Sequence, residues 1–418
     1  MAGGQNIKVD VAIAGGGIVG TAVACLLGHC GFSVALVEAR EPKPFDLNSA
    51  FGLRVSAISP GSAAILEHAG AWDQIDKARS CAYHRIHIEE KTEGGTIGDG
   101  LDFEAPVYGL ERLGTIVEND LLQSTLWQVA STIPLLRTFS PATMEHIEQR
   151  GHDIMLTLDS GLQIDADLLV GADGAASSVC RMSGIDQQIW DYNQQGVVCV
   201  VRKSLPNPGV AWQRFLPDGP IAFLPLPDGS SSVVWTLPTT QADRVLALNT
   251  QDFALELATA SQGWLGDTPE SGPRAAFPLQ MRLSDRYVSD RIILLGDSAH
   301  VVHPLAGQGV NLGLADAAAL VETLLENRKA GRDMAHAPSL KKFEVWRKSE
   351  SEMIASGIHA LHALFMSPAM SSARKTGMNL VSKSWPLKEA FLRRAVGLGR
   401  NAPRMCRGEN LQSLLRNL

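Results

Sequence analysis

Gly15, Gly17 and Gly20 stand at Gly-x-Gly-x-x-Gly spacing in the run Gly15-Gly16-Gly17-Ile18-Val19-Gly20. Glycines so placed suit the pyrophosphate of a dinucleotide. The first permits a tight turn, the second admits the backbone close to the phosphates, and the third lets a helix pack against its strand. The phosphates then rest on the positive N-terminus of the helix, which begins at Ile18 and Val19. Glu38 follows about 20 residues later, where a carboxylate accepts hydrogen bonds from ribose hydroxyls. An acid there fits an unphosphorylated adenosine ribose, as in FAD or NAD, better than NADP.

Two more motifs follow in order. Asp173-Gly174 closes the segment Asp165 to Val170-Gly171-Ala172. Gly296-Asp297 closes the apolar run Ile292-Ile293-Leu294-Leu295, and Pro304-Leu305-Ala306-Gly307-Gln308-Gly309-Val310-Asn311 comes shortly after. An Asp-Gly pair alone reads as a turn; three motifs in a fixed order point to one composite site. His300 and His303 flank the last loop. Each is a candidate to assist deprotonation of a substrate, although a structural role, hydrogen-bonded near the loop, is the favoured reading. No third ligand type lies at a spacing that would complete a metal site with them.

The elements that position these motifs are legible. Residues 8–14 predict a buried parallel strand, about 18–31 a helix, and 33–37 a second strand. Residues 167–171 and 291–295 read as further buried strands, and an alanine-rich helix runs from the last loop to about Leu325. Between them, Val197 to Arg202, Trp212 to Leu216, Ile221 to Leu226 and Ser231 to Leu237 alternate as strands, with Asp218 and Asp228 in hairpin turns. Phe215, Phe223, Leu224, Pro225 and Trp235 are candidates to line an apolar substrate pocket; ordinary sheet core is the alternative for each. Beyond about residue 339 the pattern is helical, with breaks expected at Pro368, Pro386 and Pro403. Residues 341–418 carry fourteen Lys and Arg against five Asp and Glu, a balance of +9 in a chain whose net charge is -7. Such a tail suits either an anionic membrane or a helical cover over the dinucleotide domain.

The net charge argues against nucleic acid as the main partner. The six cysteines form no Cys-x-x-Cys pair, which fits reduced thiols in a cytoplasmic protein. No targeting segment and no run of apolar residues long enough to span a bilayer is seen, so the chain is expected to be soluble or at most peripheral to the inner membrane.

In its three motifs the sequence resembles the class A flavoprotein aromatic monooxygenases, the group of para-hydroxybenzoate hydroxylase. The segments LRVSAIS (53–59), IVEN (116–119), FLPLPDG (223–229) and HPLAGQGVNLG (303–313) are similar to the ubiquinone-biosynthesis hydroxylases within that group. The resemblance implies an α/β fold: a Rossmann-type FAD domain of the GR2 type (1–185 and 290–335), interrupted by a β-sheet substrate domain (186–289) and followed by C-terminal helices (336–418). It places the ADP part of FAD at Gly15, Gly17, Ile18, Val19, Gly20 and Glu38, and the diphosphate region near Arg54. Asp173 and Gly174 would lie near both FAD and the passing NAD(P)H. Gly296 and Asp297 would hold the ribityl chain, with Pro304, Gly307, Gly309, Val310 and Asn311 at the flavin ring, where backbone N–H groups can meet charge on the N1–C2=O edge.

The implied activity is hydroxylation of a polyprenylated phenol or quinol with NAD(P)H and O2, through a peroxyflavin. No protein nucleophile is then required, because the cofactor carries the hard step and the protein orients it and excludes water. Other ubiquinone-biosynthesis proteins are expected partners. A hydroxylase of a soluble aromatic and a non-catalytic FAD-bearing subunit are the alternatives. The chain departs from the family pattern in Asp173-Gly174-Ala175-Ala176-Ser177-Ser178-Val179-Cys180-Arg181, where Ala176 replaces Asn and the arginine comes one position late. Ser298 replaces the commoner Ala. These departures put the reductant contact of the turn in question.

Overall fold

The computed structural model describes residues 6–90, 100–202, 207–265, 270–303, 307–366 and 384–409. Strand β1 (Asn6–Ala14), helix α1 (Ile18–His29) and strand β2 (Val34–Val37) form the leading βαβ unit. Strand β1 lies centrally, parallel to β2 on one side and to Gln163–Gly171 on the other. Leu136–Phe139 extends the sheet beyond β2, and Ile292–Leu294 extends it beyond Gln163–Gly171, both in parallel. All residues of β2 and of Ile292–Leu294 are buried, which is why these strands read as unbroken apolar runs rather than alternating ones. Helices α1, Asn119–Thr132 and Gly309–Lys329 cover one face with a shared core that includes Leu26, Leu122 and Leu320.

The second large sheet is mostly antiparallel. In spatial order it contains His300–Val301, Glu270–Ser284, Gln187–Arg202, Ser231–Pro238, Gly219–Pro225, Val210–Leu216, Arg85–Glu90 and Leu101–Glu104. The strand expected at Val197 is the end of a sixteen-residue strand. The first member and the last two of this order show how closely the sheets interlock: Arg85–Glu90 and Leu101–Glu104 join from early in the chain, and His300–Val301 joins directly after the Gly296-Asp297 turn. Leu216 pairs with Gly219 across the turn at Asp218. Helices Thr239–Ala247 and Thr250–Ser261 cover one face through Val245, Phe253 and Leu257. A third, three-stranded sheet (Val55–Ile58, Gly114–Glu118, Ser80–Tyr83) lies between the two.

The C-terminal region is not an appendage. Helix Ala337–Met366 sends Leu340 and Phe343, each 1% exposed, into the core beneath α1. Glu344 accepts the N–H groups of Tyr287 (2.7 Å) and Val288 (3.2 Å). Met405 donates its N–H to buried Glu322 at 3.1 Å. Pro386 does not break a helix; it occupies the first turn of Trp385–Ala395, where the missing N–H costs nothing. The break expected at Pro368 lies outside the described residues. No helix among the described residues is long and apolar enough to cross a membrane.

Candidate functional site

The motifs meet at the C-terminal ends of the parallel strands, where open α/β sheets bind ligands. Ala172 donates its N–H to Ala14 at 2.8 Å, and Leu295 donates to Gly171 at 2.9 Å, so the turns after three neighbouring strands are tied edge to edge. Gly15 has φ +103°, and a Cβ there would lie 2.3 Å from the Ala172 carbonyl oxygen. A Cβ on Gly20 would lie 1.9 Å from the Gly15 oxygen. These two glycines are required by the protein itself. A Cβ on Gly17 meets nothing within 4 Å. Gly17 caps α1 without a side-chain hydrogen bond, and no acid stands in the first turn. The helix therefore presents unsatisfied N–H groups to an open side, the condition for holding an anion.

Three donors that sequence inspection missed fix this turn. Trp127 Nε1 (2.7 Å), Gln123 Nε2 (2.9 Å) and Thr21 Oγ1 (3.0 Å) all donate to the Gly16 carbonyl. A Cβ on Gly16 would lie 2.4 Å from the Trp127 ring. Glu38 accepts the Gly16 N–H on Oε2 (2.6 Å) and the Arg40 N–H on Oε1 (2.9 Å). Lone pairs remain on both oxygens for a ribose. The signal for Trp127 and Gln123 was absent because they reach the loop from a helix more than a hundred residues away.

Asp173 is spent on its own turn. It accepts Ser178 N (2.6 Å) and Val179 N (3.1 Å), the hydroxyls of Ser177 (2.5 Å) and Ser178 (2.8 Å), and Ser298 Oγ at 3.1 Å. Ser298 Oγ in turn accepts Gly174 N at 3.0 Å. The hydroxyl that departs from the family pattern thus stitches the Asp-Gly turn to the Gly-Asp turn. Cys180 is 2% exposed, so an arginine there would have to bury its charge. Arg181, one residue later, folds back to the Ala176 carbonyl at 2.6 Å.

The Gly296-Asp297 turn has a buried foundation. Gly296 (φ +57°) donates its N–H to Asp316 Oδ2 at 3.1 Å. The same oxygen accepts His300 Nε2 at 2.6 Å, while Oδ1 accepts Arg347 Nε at 2.7 Å. Because an ionised carboxylate only accepts, Nε2 carries the proton in this contact. Burial pushes the Asp316 carboxyl up, but His300 and Arg347 outweigh it and hold it below the usual aspartate value. His300 is thus tied through Nε2 to the buried foundation of the turn. Asp297 differs: its side chain is exposed, yet surrounding protein raises its carboxyl above the ordinary range, partly offset by His300 and Arg54. No donor among the described residues reaches it.

Val19 packs between the turn and the following helix: a Cβ on Gly313 would lie 2.5 Å from its methyl, and one on Gly296 3.3 Å. Asn311, expected at the flavin ring, uses its side chain to bind protein. It accepts Ser59 N (3.0 Å) and donates to Ala57 O (2.9 Å) and Gly307 O (3.1 Å), leaving only backbone groups for a ligand. Gly309 and Val310 begin the helix Gly309–Lys329, whose cap residue Gln308 makes no side-chain cap. Pro304 lies outside the described residues. His303 is 1% exposed; burial and the neighbouring His362 push it down to about 3. It packs edge-on to Tyr192 at 4.9 Å, whose hydroxyl lies 3.2 Å from His359 Nδ1.

The five apolar candidates divide between the sheet's two faces. Phe223 and Trp235 belong to the core under the helices Thr239–Ser261, and Pro225 shares their face by alternation. Leu224 and Phe215 point the other way. Leu224 shares a cluster with Ala211, Val200 and Ala57, and a Cβ on Gly307 would touch Ala57 at 3.4 Å. That face, with Ala222 and Val234 at intervening positions, looks toward the loop.

These residues fit FAD. The cradle at Gly17 would receive phosphates, Glu38 a ribose, Asp297 hydroxyls, and the helix start at Gly309 an anionic ring edge. Among the described residues no cluster of His, Cys, Asp and Glu suits a metal. A family model described as "FAD binding domain" matches residues 8–337. The 3-demethoxyubiquinol 3-hydroxylase of Escherichia coli is 35% identical, over 94% of this chain and 100% of its own length. The ubiquinone hydroxylase of Rhodospirillum rubrum is 33% identical, covering 97% and 94%, and a human mitochondrial ubiquinone biosynthesis monooxygenase is 31% identical, covering 92% and 91%. Among solved structures, p-nitrophenol 4-monooxygenase from Pseudomonas putida superposes with a TM-score of 0.76 at 19% identity, covering 95% and 99%.

Proposed function

The chain belongs to the FAD-binding family of flavin-dependent monooxygenases, and from that premise we propose that it hydroxylates the ring of a polyprenylated phenol or quinol in ubiquinone biosynthesis, with NAD(P)H as reductant. The observation that carries this reading is the shared Gly296-Asp297 turn, which leaves the parallel sheet and enters the antiparallel sheet within six residues. It sets a dinucleotide cradle against an apolar sheet face. The named relatives, matched over nine-tenths of the chain, narrow the substrate class.

Bound FAD supplies hydride acceptance and activation of O2. The protein's part is to hold, orient and keep dry. The N-terminus of α1 offsets pyrophosphate charge, Arg54 adds a nearby cation, and Asp297 accepts ribityl hydroxyls. The backbone N–H groups at Gly307, Gly309 and Val310 would be the donors for a ring edge that becomes anionic on reduction. Leu224, Phe215, Ala222 and Val234 offer a surface without charge, suited to a prenylated ring. Water kept from that surface cannot divert reducing equivalents to peroxide.

The test is turnover by the purified, FAD-loaded protein. A short-chain prenylated phenol should accelerate NAD(P)H consumption and gain one oxygen atom, and the gene should restore a strain blocked at a single ring hydroxylation. Stimulation by benzoates but not by the prenylated phenol would establish a soluble aromatic as substrate. NAD(P)H consumption indifferent to every phenol would leave a non-catalytic FAD-bearing subunit.

A further inference from the structure

We propose that helix Trp385–Ala395, with the adjoining turn Ala105–Tyr108, is a docking surface for an anionic lipid bilayer. The proposal deepens the lipid-substrate reading and rests on it for its purpose, while its geometry stands apart. Trp385, Leu387 and Phe391 are 48%, 52% and 54% exposed, and Val107 beside them is 52% exposed. Leu387 and Phe391, four residues apart, share one side of the helix. These apolar groups are held rigidly outward. Trp385 stacks on Tyr108 at 5.1 Å with 8° between the rings, and Phe391 stacks on buried Phe103 at 6.2 Å. Leu392 and the cap residue Val396, 1% and 2% exposed, anchor the helix in the core. An isolated exposed leucine needs no explanation, but a preordered cluster with two aromatics does.

The charge around the cluster selects the occupant. Residues 384–409 carry six Lys and Arg against two Glu, in a chain of net charge -7. Lys388 lies 5.2 Å over the Phe103 ring, and the Arg393 side chain is 51% exposed. Beside the helix opens a cleft of about 570 Å³ lined by Arg393, Arg394 and Arg400 together with Glu350 and Glu389, and by Gln308 and Asn311; Arg393 pairs with Glu389 at 2.9 Å and Arg394 with Glu350 at 2.6 Å, while Arg400 is exposed. A bilayer with anionic headgroups meets both features: acyl chains accept Trp385, Leu387 and Phe391, and phosphates meet Lys388 and Arg400. An acidic protein would meet the same charge and aromatics, so binding to lipid vesicles with no second protein present is the outcome that separates the two. Through Gln308 and Asn311 the cleft borders the loop at Gly307 to Val310, so docking here brings the bilayer to the flavin side of the molecule.

The experiment uses full-length, FAD-loaded protein and vesicles of phosphatidylcholine with or without phosphatidylglycerol. Co-sedimentation is expected with the mixed vesicles at low salt, weakening as salt rises. The variant Leu387→Ser/Phe391→Ser, checked for retained FAD, should bind them at least about tenfold more weakly. Lys388→Glu should weaken binding at low salt and have little effect at high salt. Absence of binding to either vesicle by yellow, monodisperse protein would overturn the proposal. So would binding that the serine variant leaves unchanged, or self-association that the same variant abolishes, which would make this face a contact between copies. None of these outcomes depends on whether the prenylated phenol is the substrate, since that is decided by turnover in solution.

Discussion

At the scale of single residues, two aspartates near one turn behave oppositely. Asp297 is desolvated with no donor reaching it among the described residues, and its raised carboxyl favours the protonated form. A raised aspartate contributes stability below its unfolded value of 3.8 and loses it as pH rises through the folded value. Asp297→Asn is therefore expected to raise the melting temperature of the apoprotein at pH 7, with the gain vanishing under acid conditions. The same variant and Asp297→Ala should weaken FAD binding roughly ten- to hundred-fold, the cost of losing a charged hydrogen-bond partner; fluorescence titration of apoprotein with FAD measures it. Asp316 has the reverse sign. Its depressed carboxyl stabilises the fold above the ordinary aspartate value of 3.8, and that contribution is lost as pH falls through the folded value. Asp316→Asn should cost about 3–5 kcal/mol in urea unfolding at pH 7, because Arg347 is left buried without its partner, and the deficit should shrink in acid. The sequence disclosed Asp297 through its motif. It gave no sign of Asp316, which looks like one more residue of an alanine-rich helix until Arg347 is seen to reach it.

Whole elements show the same division between local pattern and long-range contact. The leading βαβ unit was legible because every requirement lies within thirty-odd residues: turn, helix start, close packing. Its glycines nonetheless serve different masters. Gly20→Ala drives a methyl into the Gly15 carbonyl, 1.9 Å away, and should yield little folded protein. Gly17→Ala meets open space, so the apoprotein should lose under about 1 kcal/mol while FAD affinity falls at least about tenfold. Thermal melts with and without FAD separate the two effects. The C-terminal helices were legible as helices but not in their placement. A basic, apolar-interleaved pattern is the same whether a helix covers a core or lies on lipid; helix Ala337–Met366 does the first through Leu340 and Phe343, as does the turn at Met405. Deletion from residue 338 onward should accordingly give insoluble, flavin-free protein, as judged by soluble yield and flavin absorbance. The division of Phe223 from Leu224 was likewise hidden, because alternation shows that two faces exist and not which one a helix pair will cover.

Across the molecule, the cofactor site is assembled from parts spread over most of the chain. The cradle lies at Gly15 to Gly20, the ribityl turn at Gly296-Asp297, and the foundation of that turn at Arg347. Heating should therefore release flavin in step with loss of tertiary structure, the two signals sharing one midpoint in a combined fluorescence and circular dichroism scan. The order of synthesis adds a further consequence. At about 5–20 residues per second, the ribosome makes β2 roughly 15–60 s before it makes Arg347. During that interval β1 has β2 on one side, while its other neighbour, Gln163–Gly171, and the strand beyond, Ile292–Leu294, arrive late. The nascent chain thus exposes an apolar strand edge and cannot capture FAD. Flavin loading belongs to the released polypeptide, and stalled chains ending before Arg347 should gather chaperones instead of colour.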